Sequence, residues 1–273
     1  MLFVGVDLSA RRGFDVAVLD DERRVIRLWR AATLDLLSAG LAAYAVPRAS
    51  PMLIVAVDAP QAPSDFPLRR AEVRAGLPVP PTPGRFARYR VCDYELARRG
   101  IGLYLLPEPG AAPPAWMALG FATFRCLRER HGLSIPRDAA DHAATLLEVY
   151  PYAGFVTLLG GRPPRKTTHE GMALRVEALR RVGLQGVLHT PLADAGLTHD
   201  AVDALCAAFT AWAWHHGHGC ALGRPDEGLI VLPVPAGALK ERYGAYISNG
   251  APRTGQPGHE SCCASRAYDK DQG

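Results

Sequence analysis

Residues 51–58, Pro-Met-Leu-Ile-Val-Ala-Val-Asp, constrain this chain more than any other stretch. The run is apolar at every position from Met52 to Val57, holds three β-branched residues and closes on an acid. It reads as a strand without a polar face, and such a strand belongs inside a parallel sheet with helices covering both sides. Residues 34–45 carry Leu34, Leu37, Leu41 and Tyr44 at helical spacing, and Pro47 and Pro51 end that helix. A helix followed by a buried strand implies a parallel crossover.

Before that crossover lie three shorter apolar runs, 2–7, 13–19 and 25–32, separated by short polar turns. They predict an antiparallel meander. After it, residues 60–143 are proline-rich and read as a long insertion, with helices near 92–99 and 115–131. A strand returns at 146–150. Helices follow at 172–182 and 201–214, and a late strand at 229–234. The expectation is one α/β domain over 1–248 and a disordered tail over 249–273.

Composition narrows the function classes. The 273 residues are 48% hydrophobic and 21% charged, ordinary for a globular chain that buries a core without staples. No apolar run reaches the roughly 18 residues of a membrane span. The start lacks a secretory leader, so the six cysteines are expected to be reduced thiols of a cytoplasmic protein. A net charge of +4 permits an anionic partner without demanding one.

The chemistry rests on where acids meet apolar elements. Asp7 and Asp58 each close a buried strand. If those strands are parallel neighbours, both side chains emerge at the carboxyl edge, where open α/β sheets bind ligands. Asp200 and Asp203 open an Ala-rich helix and are neighbours on its surface. Each has a plain structural reading as well, Asp7 as a turn acid and the pair as an N-cap with a dipole-favoured acid. Jointly they fit a hard cation, Mg²⁺ or Mn²⁺, which relieves the repulsion of clustered carboxylates.

Several short motifs add to this order of elements: Gly5-Val6-Asp7, Val57-Asp58-Ala59-Pro60, Arg90-Val91-Cys92-Asp93 with Arg98-Arg99-Gly100, Glu148-Val149-Tyr150-Pro151, Lys166 to Arg175, His199 to Ala204 and Glu227-Gly228-Leu229-Ile230. As a set they resemble a family of predicted nucleases of ribonuclease H-like fold, domain of unknown function 429. The late helix is similar to that of Holliday-junction resolvases, although that branch commonly carries Glu where this chain has the shorter Asp58. The resemblance implies a mixed five-stranded sheet flanked by helices, with a long insertion after the fourth strand. It implies Asp7, Asp58, Asp200 and Asp203 as metal ligands of a nuclease acting on DNA or RNA.

Other residues are candidates for supporting roles. Glu148 either adds a fifth carboxylate or faces outward on its strand. Lys166 and Arg175 follow a Gly160-Gly161 turn and are placed to contact phosphates, although a solvated helix face explains Arg175 as well. Arg85, Arg88 and Arg90, interleaved with Phe86 and Tyr89, make the best basic-aromatic patch for nucleic acid. His215, His216, His218 and Cys220 lack zinc-site spacing and read as a polar helix end. Two alternatives to hydrolysis stay open. One is a non-catalytic module binding nucleic acid or nucleotide. The other is an actin-like ATPase, for which Ser9 to Gly13 is a poor phosphate loop.

Overall fold

The computed structural model describes residues 1–44, 53–186 and 196–246. The expected helix stop at Pro47 and Pro51 and the expected tail over 249–273 lie outside them. Strands β1 (Leu2–Ser9), β2 (Gly13–Leu19) and β3 (Val25–Ala31) form the antiparallel meander. Helix α1 (Leu34–Ala42) starts at Thr33, whose side chain accepts from the Leu36 N–H, and buries Leu37 and Leu41. Strand β4 (Leu53–Asp58) then runs parallel to β1 in a register that pairs Gly5 with Ala56 and Asp7 with Asp58.

The insertion leaves from the end of β4. It holds the short α2 (Ala71–Ala75), then α3 (Val91–Arg98) and α4 (Ala115–His131), and returns through β5 (Leu146–Val149), parallel to β4. Helices α5 (Pro151–Leu159), α6 (His169–Arg181) and α7 (His199–His215) follow. The hairpin of β6 (Cys220–Arg224) and β7 (Gly228–Leu232) completes the sheet, with β7 parallel to β5.

The sheet therefore has seven strands, in the order β3-β2-β1-β4-β5-β7-β6, and not five. Strand β6 has the mixed sequence Cys-Ala-Leu-Gly-Arg and no apolar run of its own. Its pairing with the fully buried Gly-Leu-Ile-Val-Leu of β7 is what makes it a strand. No described helix is long and apolar enough to cross a membrane.

Helix α7 covers one face of the sheet. Its Ala204, Ala207, Ala208 and Ala211 are fully buried in a core with Phe3, Ala56 and Leu147. On the opposite face, α1 and α4 pack their Leu37, Leu41, Phe124 and Leu127 against Val4, Val6, Val55 and Val57. Gly5 decides how near α7 comes. A Cβ built there would stand 1.9 Å from the Ala204 carbonyl oxygen and 2.3 Å from the Ala208 nitrogen, so only glycine lets the helix backbone rest on β1. That close seat brings the first turn of α7 to the strand ends.

A candidate acidic site at one edge of the sheet

Residues in register share a face of a sheet, and successive residues alternate. Asp7 and Asp58 are register partners, and Asp15 of β2 pairs with Asp7 from the other side. Arg30 extends this row, pairing with Asp15 and donating from Nη2 to its carboxylate at 3.0 and 3.2 Å. Asp7 and Asp58 are buried at 4% and 6% exposure, on the face that α7 covers.

Helix α7 supplies the other two acids. Thr198 is the N-cap, its hydroxyl accepting from the Ala201 N–H, which leaves Asp200 and Asp203 to turn inward. Both are buried. The expected four carboxylates thus come from three elements at one edge.

A basic side chain lies among them. The Lys166 ammonium is 2.6 Å from Asp203 Oδ2 and 3.3 Å from Asp200 Oδ1. Arg12, from the β1–β2 turn, reaches Asp200 Oδ2 at 2.7 Å, and His199 Nδ1 lies 2.7 Å from Asp200 Oδ1. Burial works against charge on Lys166, but Asp203, Asp7 and Asp200 outweigh it and hold the ammonium raised well above an ordinary lysine. Burial also works against charge on Asp200. His199, Lys166 and Arg12 overcome it and keep that carboxyl below the usual range. Asp203 goes the other way, pushed up by burial and by Asp58 despite Lys166.

Arg175 is buried and faces inward, so it is no solvated phosphate contact. It donates from Nη1 to the carbonyls of Pro164 and Gly171, both at 2.8 Å, and so pins the turn that carries Lys166. Gly171 is needed in the same turn, because a Cβ there would meet the Arg165 carbonyl oxygen at 2.0 Å.

Glu148 sits on the opposite face. It pairs with Val57, one residue before Asp58, so the pleat turns it away from the four aspartates. There Arg90, also buried, donates to it from Nη2 to Oε1 at 2.7 Å and from Nη1 to Oε2 at 3.0 Å. Arg90 also holds Asp93, from Nε to Oδ2 at 3.1 Å and from Nη2 to Oδ1 at 3.0 Å. An arginine fixed this way is internal and unavailable to a nucleic-acid backbone. Burial raises Glu148 although Arg90 opposes it. Glu227 accepts from the Val91 N–H at 2.7 Å, and burial pushes its carboxyl up to about 8.

The rest of the basic-aromatic patch divides. Arg85 is exposed with its guanidinium 5.3 Å from the Phe86 ring, and Arg88 is paired with Glu108 at 3.1 Å. Phe86 and Tyr89 meet edge-on at 5.2 Å and pack against Leu68, Val73 and Tyr94. Those rings are partly committed to a small core.

Residues 5–227 match the family described as Protein of unknown function (DUF429). The chain belongs to the DUF429 family. Comparison with curated proteins and with solved structures finds no match. The DUF429 match runs from the strand that carries Asp7 to the Glu227 carboxyl, so it spans both acidic groups at the sheet edge.

Among the described residues, no group of three or more His, Cys, Asp and Glu side chains is arranged to hold a metal ion. The cation at this place is the lysine ammonium. A divalent ion could sit there only after Lys166 withdraws. The donor set, oxygen only and anionic, is the kind that Mg²⁺ or Mn²⁺ takes. The raised Lys166 marks the spot as one where positive charge is favoured.

Proposed function

We propose that this chain is a divalent-cation-dependent phosphodiester hydrolase acting on nucleic acid, built on a ribonuclease H-like core. The observation that carries the reading is the convergence of Asp7, Asp58, Asp200 and Asp203 at the carboxyl edge of β1 and β4. The strand order β3-β2-β1-β4-β5, an antiparallel meander followed by parallel strands, supports the ribonuclease H-like relationship, with β7 and β6 as additions at the far edge.

In this reading Asp7, Asp58 and Asp203 would hold the cation, with Asp200 beside them. A divalent ion bound there would supply Lewis-acid activation of water and neutralise charge on the phosphate. Lys166 keeps the acids together while no ion is bound. Displaced from them, its ammonium would remain near enough to meet a substrate phosphate. Arg12 and His199 hold Asp200 in place throughout.

The position of Lys166 between Asp200 and Asp203 also favours a second reading, a binding module whose acids are already neutralised by lysine. One experiment separates the two. Labelled single-stranded, duplex and branched nucleic acids are incubated with Mg²⁺, Mn²⁺ or EDTA. Hydrolysis predicts cutting that needs the cation, is lost in Asp7→Asn and Asp203→Asn, and changes its cation requirement in Lys166→Met. Binding without cutting on every substrate would replace the first reading by the second.

A further inference from the structure

The other face of the same edge has a polar and aromatic lining of its own. A cleft opens where β4 and β5 end, lined by Asp58, Tyr104, Trp116 and Tyr150 above the Glu148 and Asp93 carboxylates. The Tyr104 and Trp116 rings meet edge-on at 5.1 Å. Tyr150 is anchored by its hydroxyl, which donates to the Gly102 carbonyl at 2.9 Å. Aromatic walls of this kind suit a flat ring.

The polar floor suits hydrogen-bond donors and not anions. One guanidinium, that of Arg90, faces two carboxyl groups. Glu148 Oε1 accepts from Arg90 Nη2, and a carboxylate oxygen has room for a second donor. A phosphate would meet acids here, whereas an exocyclic amine or ring N–H would meet acceptors. Free volume in the cleft is only ≈ 40 Å³. A ring therefore enters only as the Tyr104 and Trp116 side chains open around it and close on its faces.

We propose that this cleft receives one unpaired nucleobase bearing amino donors, stacked among Tyr104, Trp116 and Tyr150 and read by Glu148. The inference rests on the nucleic-acid reading of the acidic site and names its substrate class as unpaired strands. Asp58, which borders both, places the base pocket beside the hydrolytic centre.

Binding is measured in EDTA, so that no cutting intervenes. Fluorescence anisotropy is read with short single strands carrying a central guanine, thymine or abasic site, and calorimetry with free guanosine monophosphate. The guanine strand should bind about tenfold tighter than the abasic strand, since stacking on an aromatic side chain is worth at least that order. Thymine, with no exocyclic amine, should fall between them. Tyr104→Ala should erase most of the guanine-to-abasic ratio while leaving abasic binding unchanged. It reads the cleft even if Trp116→Ala, at a more buried position, fails to fold. Guanosine monophosphate binding as tightly as the strand would mark a free nucleotide as the ligand, and weaker binding a strand. Equal affinity for guanine and abasic strands, or a ratio unmoved by Tyr104→Ala, would overturn the pocket. Cation-dependent cutting with no base preference would remove the pocket alone. Base-dependent binding without cutting under any cation would remove the hydrolase reading alone.

Discussion

Replacing Gly5 by alanine tests how the acidic site is held together. The added Cβ would stand 1.9 Å from the Ala204 carbonyl oxygen, and ordinary contact begins near 3.4 Å, so α7 has to retreat by about 1.5 Å. The clash is with helix backbone, which cannot rotate away as a side chain can. Overpacking a core typically costs about 1–3 kcal/mol, and the upper end applies when backbone must move. For a chain of this size about 3 kcal/mol lowers the melting temperature by roughly 6–12 °C. The same retreat draws Asp200 and Asp203 away from Asp7 and Asp58. Thermal unfolding followed by circular dichroism reads the effect, with Gly237→Ala as control, because a Cβ at Gly237 meets nothing within 4 Å. A loss for Gly5→Ala no larger than that of the control would refute the claim that α7 rests on β1 through this glycine.

Two further outcomes follow from the opposite face. Arg90→Met strands Glu148 and Asp93 without their counter-ion in the interior, and breaking such a pair costs about 3–5 kcal/mol. The urea midpoint should fall accordingly and recover in part when Glu148→Gln and Asp93→Asn are added. Glu227 is raised from 4.5 to about 8, so the folded state keeps a proton that the unfolded chain has released between those values. Stability contributed by this group therefore falls as pH rises through that window. Glu227→Gln should flatten the decline and be the more stable form near pH 8, by at least about 1 kcal/mol. Parallel melting curves against pH would contradict this.

The sequence made the strand-end acids legible because two signals coincided at each, a buried apolar run and its closing carboxyl. The row of Asp7 and Asp58 then follows from parallel pairing alone. Glu148 was ambiguous for a physical reason: β5 is four residues long and buried throughout, so it shows no alternation to reveal which side faces which helix. Arg90 looked like one of several surface arginines in Arg-Phe-Ala-Arg-Tyr-Arg. Its partner Glu148 lies 58 positions away, and no local pattern encodes that pairing. Arg12 and Lys166 had the same difficulty, since their acids stand on a helix far along the chain. Helix α5 has a weak local signal because its middle holds a glycine, Gly154, where Cys206 of α7 packs close. Strand β6 depends on β7 for its existence.

The two groups of acids at the sheet edge are separated by the pleat and by very little else. Asp58 and Glu148 stand on neighbouring parallel strands, one register step apart, and so point to opposite faces. A nucleotide has the same division, with an anionic phosphate on one side and a flat donor-bearing ring on the other. The aspartate face favours positive charge strongly enough to hold Lys166 raised, and under the proposed function a cation there would meet the phosphate. The glutamate face sets a guanidinium beneath aromatic walls and leaves Glu148 Oε1 with room for a second donor. Under the two proposals, a strand crossing the ends of β4 and β5 would lay its backbone on the first face and turn one base into the second. Asp58 would be the residue through which base binding and hydrolysis are coupled. Asp58→Asn should then disturb both readouts, whereas Asp203→Asn should abolish cutting and leave the guanine-to-abasic ratio intact.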